Sequence, residues 1–189
     1  MEIEELRNIL GGEFAFIFNE INPVIQSLKL EKTAHILDIG TGMGWMAIIL
    51  ALNDFKVTTG EPEEDKSEYA KKDWLKYAKT AKVDHLITYT PFNAEKMPFE
   101  DASFDTIFLL GALHHIDDID KALKESVRIL RKSGIICIFE PNSNLIKIIR
   151  QNEHPTHPDA INPRDYAQRL HLSMELIELP FYNTYILRK

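Results

Sequence analysis

Polar residues able to do chemistry cluster in this chain at the ends of apolar runs. The stretch "ILDIGTGMG" (residues 36–44) ends an apolar run with Asp38 and continues through Gly40, Thr41, Gly42 and Gly44. A glycine-rich turn that leaves a strand and opens a helix points free backbone N–H groups outward, and glycine admits a ligand where a Cβ would block it. The spacing is G-x-G-x-G, whereas a dinucleotide loop reads G-x-G-x-x-G. Asp38 would repel a pyrophosphate but suits a ligand carrying ammonium and sulfonium groups. Glu61, at the end of the next apolar run, stands where a carboxylate can accept both hydroxyls of a ribose.

Histidines supply the other candidates. His114 and His115 in "LHHI" follow the fourth apolar run and are the general-base candidates, although packing or cofactor contact is the preferred role. In "EHPTHPD", Glu153, His154, His157 and Asp159 all have metal-ligating atoms. Pro155 and Pro158 preclude a helix that would align them, so a loop or substrate lid is expected and no metal site. Cys137, inside the apolar run "GIICIFE", reads as a core residue rather than a nucleophile.

The elements that must position these residues form an alternating pattern. "HILDI" (35–39), "KVTTG" (56–60), "HLITYT" (85–90), "FDTIFLL" (104–110) and "IICIFE" (135–140) are the expected strands, with amphipathic stretches between most of them. Near-continuous apolar strands alternating with helices predict an α/β fold, a Rossmann-like, doubly wound, mostly parallel sheet. The clearest helix places Ile116, Ile119, Leu123, Val127 and Leu130 at spacings of three and four, with Asp117 or Asp118 to cap it and Gly134 after it. "EPEEDKSEYAKKDWLKYAKTA" predicts another, with Ala70, Trp74, Tyr77, Ala78 and Ala81 on its apolar face. The proline-rich residues 143–172 read as short helices and loops forming a lid. Residues 173–189 predict an antiparallel hairpin at the sheet edge.

"ILDIGTGMG", "TGEP", "NAEKMPFEDASFDTIFLLGALHHI" and "LRKSGIICIFEPN", in that order, resemble the class I S-adenosylmethionine-dependent methyltransferases, especially those acting on small molecules. The resemblance covers residues 33–142 and implies roles at matching positions. Asp38 and the backbone of Gly40, Thr41, Gly42 and Gly44 would hold the methionine part of S-adenosylmethionine. Glu61 would bind the ribose hydroxyls, with Pro62 beside the adenine. Asn93, Ala94 and Glu95 match the adenine-binding segment, where Asn93 replaces the usual Asp yet still offers an acceptor and a donor. Gly111 matches the position whose backbone runs along the cofactor near the transferred methyl. Residues 1–30 resemble the cap of related enzymes, so Phe14, Phe16, Phe18 and Asn19 are expected at the acceptor pocket or in packing against the sheet.

Size and charge bound these readings. At 189 residues, with 44% hydrophobic and 27% charged residues, the chain fits a single domain over 1–189. A net charge of -7 argues against non-specific binding to nucleic acid or an anionic membrane. No apolar run approaches the roughly 20 residues needed to cross a bilayer. The acidic start "MEIEELRNIL" does not resemble a secretory leader, and the one cysteine precludes an intrachain disulfide, so a cytoplasmic location is expected. Methyl transfer to a small-molecule acceptor is thus the leading reading. A non-catalytic S-adenosylmethionine-binding module and a nicotinamide-dependent oxidoreductase are the alternatives.

Overall fold

The computed structural model describes residues 3–64, 73–152 and 154–189. The chain divides into two compact units, Met1–Asn93 and Ala94–Lys189. The boundary falls inside the 33–142 segment that carries the family motifs.

The first unit begins with two helices, α1 (Ile3–Leu10) and α2 (Gly12–Ser27). The helical outcome for α2 settles an ambiguity in "GGEFAFIFNEI". Its phenylalanines alternate as in a strand, yet Phe14 and Phe18 also lie four apart, and their rings meet at 6.1 Å. Three parallel strands come next, β1 (Ile36–Ile39), β2 (Val57–Gly60) and β3 (Ile87–Tyr89), paired in the order β3-β2-β1. β3 is shorter than expected because Asp84–Leu86 closes into a 3-10 turn. Between β1 and β2 runs α3 (Trp45–Leu52), an all-apolar helix buried from Trp45 to Ala51. A short helix of this composition is held by the core around it, not by its own propensity.

Helix α4 (Trp74–Thr80) starts where Asp73 accepts the Lys76 N–H at 3.0 Å. Its expected apolar face is present at Trp74, Tyr77 and Ala78, with Ala81 as the C-cap. Trp74 stacks on Tyr89, and Tyr77 meets Trp45 with centroids 4.8 Å apart. Ala70 lies outside the described residues.

Gly60 ends β2 where no side chain fits. A Cβ there would lie 1.9 Å from the Thr90 carbonyl oxygen and 2.6 Å from the Phe92 ring. Gly60→Ala must push the β3 end away from β2, at an expected cost of about 2 kcal/mol in chemical denaturation. An unchanged midpoint would show that this approach can relax freely.

The second unit holds β4 (Phe104–Leu110), α5 (Ile119–Ile129), β5 (Leu130–Pro141), α6 (Ser143–Asn152), α7 (Arg164–Arg169), β6 (Ser173–Glu178) and β7 (Tyr182–Arg188). β4 and β5 are parallel, β7 runs antiparallel to β5, and β6 closes the hairpin on β7. The expected hairpin therefore forms. β6 is its outer strand, with Glu175 and Glu178 exposed, charges that discourage edge pairing.

Asp118 is the helix cap of α5, accepting the Lys121 N–H at 3.1 Å. The strand expected at 135–140 begins earlier, at Leu130, because α5 passes directly into β5. Arg128 fixes the extended segment before β4, donating to the Met97 and Phe99 carbonyls and to Glu125 and Asp101. Cys137 is wholly buried in β5, and burial drives its thiol pKa well above the ordinary value. Among the described residues no helix is long and apolar enough to cross a membrane.

Candidate functional site

In the first unit, β1 and β2 bring the two expected acids to the same end of neighbouring parallel strands. Asp38 pairs with Thr59 in register, and Glu61 comes directly after the end of β2. Asp38 is fully buried, and its Oδ2 accepts the Thr59 hydroxyl at 2.8 Å. Thr59 in turn lies 2.9 Å from the Thr41 hydroxyl, so Thr41 donates along the chain toward the carboxyl. Asp38 Oδ1 has no hydrogen-bond partner. An unmatched buried oxygen of this kind costs about 1–3 kcal/mol. Burial pushes the Asp38 pKa up to about 8, Thr59 counteracts it, and the nearby Glu61 charge raises it further.

The glycine loop between β1 and α3 takes a shape that only glycine adopts without strain. Gly40, Gly42 and Gly44 all have positive φ, at 88°, 47° and 80°. Gly40 N–H donates to the Gly60 carbonyl, and Gly44 N–H to the Thr41 carbonyl. Gly42 N–H donates to Glu61 Oε2 at 2.8 Å. The carboxylate expected to hold ribose hydroxyls is therefore positioned against the loop expected to hold the methionine part. Phe92 N–H donates to the Glu61 carbonyl, which ties Asn93 to the same end of the strands. An orphaned buried carboxyl oxygen beside a left-handed glycine loop is an acceptor that a cationic amino acid tail would satisfy, so the residues fit the implied cofactor.

The N-terminal residues separate by burial. Phe14 is fully buried with its ring edge-on to Trp45 at 5.1 Å, a core contact. Phe16 and Phe18 are half-buried and Asn19 is exposed, so the outer part of the expected cap is the part open to a ligand.

In the second unit, Gly111 stands just after β4 with φ +59°, and nothing lies within 4 Å of where its Cβ would be. Ala94 is buried, while Glu95 accepts the Asp118 N–H at 3.0 Å and so anchors the entry to α5. His114 and His115 sit on a 3-10 turn, Leu113–His115. The His114 ring is buried, and its Nδ1 lies 2.8 Å from Glu140 Oε2 at the end of β5. Glu140 also accepts the Ile161 N–H at 3.1 Å. Spacing did not single out Glu140. The signal available was an acid closing the otherwise apolar "IICIFE" run.

The "EHPTHPD" segment does not gather its own residues. His157 turns toward His114 and His115, with ring centroids 5.0 and 5.4 Å away. Asp159 instead accepts Arg150 Nη2 at 2.9 Å, and Glu153 lies outside the described residues. The segment also borders a groove of about 600 Å³ whose lining includes Asn142, Lys147, Arg150, Asp159, Asn162 and Tyr185. Most of that lining comes from the region expected to be a lid.

Comparison with known proteins finds methyltransferases. Sterol 4-C-methyltransferase strm-1 of Caenorhabditis elegans is 27% identical over 149 residues, covering 79% of this chain and 40% of that protein. The ubiquinone/menaquinone biosynthesis C-methyltransferase UbiE of Rickettsia massiliae (strain Mtu5) is 33% identical over 116 residues, covering 56% and 44%. The chain spans about two-fifths of the length of the curated relatives it matches. A SAM-dependent methyltransferase structure from Aquifex aeolicus is similar with a TM-score of 0.70 at 17% identity, covering 100% of this chain and 98% of that one. That likeness shows the Rossmann-like, mostly parallel fold with its C-terminal antiparallel pair, as the strand pattern predicts. The methyltransferase domain family matches residues 37–138, more than half of the sequence, and the chain belongs to that family.

Proposed function

We propose that residues 1–189 act as one cytoplasmic domain that transfers a methyl group from S-adenosylmethionine to a small-molecule acceptor. The observation that carries this reading is the buried Asp38 carboxyl with its unpartnered Oδ1, placed beside a loop of three left-handed glycines. Bound S-adenosylmethionine would supply the electrophilic methyl group. Asp38 and the Gly40, Thr41, Gly42 and Gly44 backbone would bind its charged methionine part. Glu61 would exchange the Gly42 N–H for ribose hydroxyls, with Pro62 and Asn93 at the adenine. Ala94, Glu95 and Gly111 keep the cofactor roles that the family resemblance implies.

Displacement at a sulfonium removes a positive charge, so the protein has mainly to align the acceptor and exclude water. Alignment alone is worth several orders of magnitude in rate. No proton transfer is therefore assigned to His114, whose ring is held by Glu140 through Nδ1 and has Nε2 unpartnered. Phe16, Phe18 and Asn19 are proposed to meet the acceptor, since they are partly or fully exposed residues of α2. The names of the two curated relatives, a sterol and a quinone-pathway C-methyltransferase, favour a largely apolar acceptor.

Calorimetric titration with S-adenosylmethionine, S-adenosylhomocysteine and NAD tests the cofactor. Saturable binding of the two sulfur ligands and none of NAD is expected. NAD binding without the sulfonium ligand would overturn the reading. Transfer of label from methyl-labelled cofactor to a panel of sterols, quinone precursors and phenols then distinguishes an enzyme from a binding module.

A further inference from the structure

We propose that His114, His115 and His157 form a binding site for a divalent transition metal of the zinc type, with Glu140 orienting His114 from behind. One ring nitrogen from each histidine lies within 4.8 Å of the others, and all four residues belong to the second unit. Metal–nitrogen bonds of about 2.0–2.1 Å place tetrahedral ligand atoms roughly 3.4 Å apart, so the rings need to close by ~1.4 Å at most. His115 is exposed on a short 3-10 turn and can make that adjustment by side-chain rotation.

The hydrogen bonds set the rings in the form that metals require. Glu140 Oε2 faces His114 Nδ1 at 2.8 Å, and the Pro158 carbonyl faces His157 Nδ1 at 2.9 Å. A carboxylate and a carbonyl only accept, so both rings carry hydrogen on Nδ1, and the neutral form of each ring offers its lone pair on Nε2. His114 Nε2 is buried without a hydrogen-bond partner, and the His114 side chain is 1% exposed. A packed stack of imidazoles explains the ring contacts but not the carboxylate that fixes His114. A carboxylate–histidine–metal relay explains both.

The donor set selects the ion. Three neutral imidazoles suit zinc, cobalt, nickel or copper, whereas magnesium and calcium require oxygen ligands. Three protein ligands leave one coordination position for water or an oxygen donor. The ion would also tie the segment before α7 to the turn after β4. That segment is already latched from its other side, where Arg150 donates to the His157 carbonyl at 2.6 and 2.8 Å. The expectation of no metal rested on "EHPTHPD", of whose two histidines only His157 joins the cluster.

The test uses the tag-free full chain, stripped with a chelator and titrated with Zn²⁺ alone and, separately, Co²⁺ alone. One ion per chain is expected, with the visible absorption of a low-coordinate Co²⁺ site. His115→Ala, at the exposed member of the cluster, and His157→Ala should each weaken binding at least 10-fold. Glu140→Gln should keep the stoichiometry and weaken binding roughly 10- to 100-fold. His154→Ala, in the same segment but outside the cluster, should leave affinity unchanged. Weak or super-stoichiometric binding, or binding insensitive to His115→Ala, would overturn the proposal. The readout is independent of methyl transfer, so it stands apart from the reading of the cofactor site.

Discussion

Asp38→Asn is expected to weaken S-adenosylmethionine binding roughly 10- to 100-fold while making the unliganded protein more stable at neutral pH. The binding loss comes from replacing a carboxylate, which hydrogen-bonds a charged group, by a neutral amide, a difference of about 1.5–3 kcal/mol. The stability gain comes from linkage. Asp38 has a folded-state pKa of about 8 because burial outweighs its bond from Thr59. In the unfolded chain it titrates near 3.8. Between these values the folded state holds a proton that the unfolded state has released. Its stabilising effect is thus fully present below about pH 4 and is lost as pH rises to about 8, at up to about 1.4 kcal/mol per pH unit.

Asparagine does not titrate, so the difference in stability between Asp38→Asn and the wild type should grow from pH 5 to pH 8. Denaturant melts across that range measure it, and parallel curves would refute the buried-acid account. A cationic ligand reverses the preference by favouring the ionised carboxyl. Binding below pH 8 should therefore release a proton, detectable by calorimetry in buffers of different ionisation enthalpy. Glu61→Gln should reduce that release, since the Glu61 charge is one of the causes raising the Asp38 pKa.

The elements legible from the sequence are those whose signals are local. β4 occupies the residues its near-continuous apolar run marks, Asp118 caps α5, and the glycine loop takes the left-handed turns that its composition requires. The boundaries that differ are set by partners distant in the chain. β5 starts at Leu130 because that residue pairs with Phe104, a contact that no pattern within the run announces. The N-terminal segment is ambiguous in sequence because alternating phenylalanines satisfy the strand period and the helix period at once. The cluster of Glu140, His114 and His157 is hidden for a stronger reason. Its members are separated by up to 43 residues and meet only after β5 and the proline-rich segment have folded back. Spacing arguments find ligands on one element, and this set is spread over three segments.

Glu140→Ala should destabilise the protein by about 3–5 kcal/mol, with the damage concentrated around residues 154–162. Glu140 and Asp38 are both fully buried acids ending apolar strands, yet their settings differ. Each keeps one oxygen unmatched, but Asp38 receives a single hydroxyl and stands beside the glycine loop, which leaves it suited to a ligand. Glu140 Oε2 receives two donors from the protein itself, His114 Nδ1–H and Ile161 N–H. Alanine would strand both donors in the interior, at about 1–3 kcal/mol each, and leave a cavity in addition. Glutamine keeps the volume and one acceptor oxygen, so Glu140→Gln should cost only about 1–2 kcal/mol. Urea unfolding gives the total, and hydrogen exchange at the Ile161 amide locates it, since that N–H loses its acceptor directly. A loss below about 1 kcal/mol for Glu140→Ala, or unchanged protection at Ile161, would mean that this carboxylate does not hold the segment to β5. The opposite signs expected for Asp38→Asn and Glu140→Ala arise from the same physics, because a buried acid stabilises a fold only where the fold itself supplies its donors.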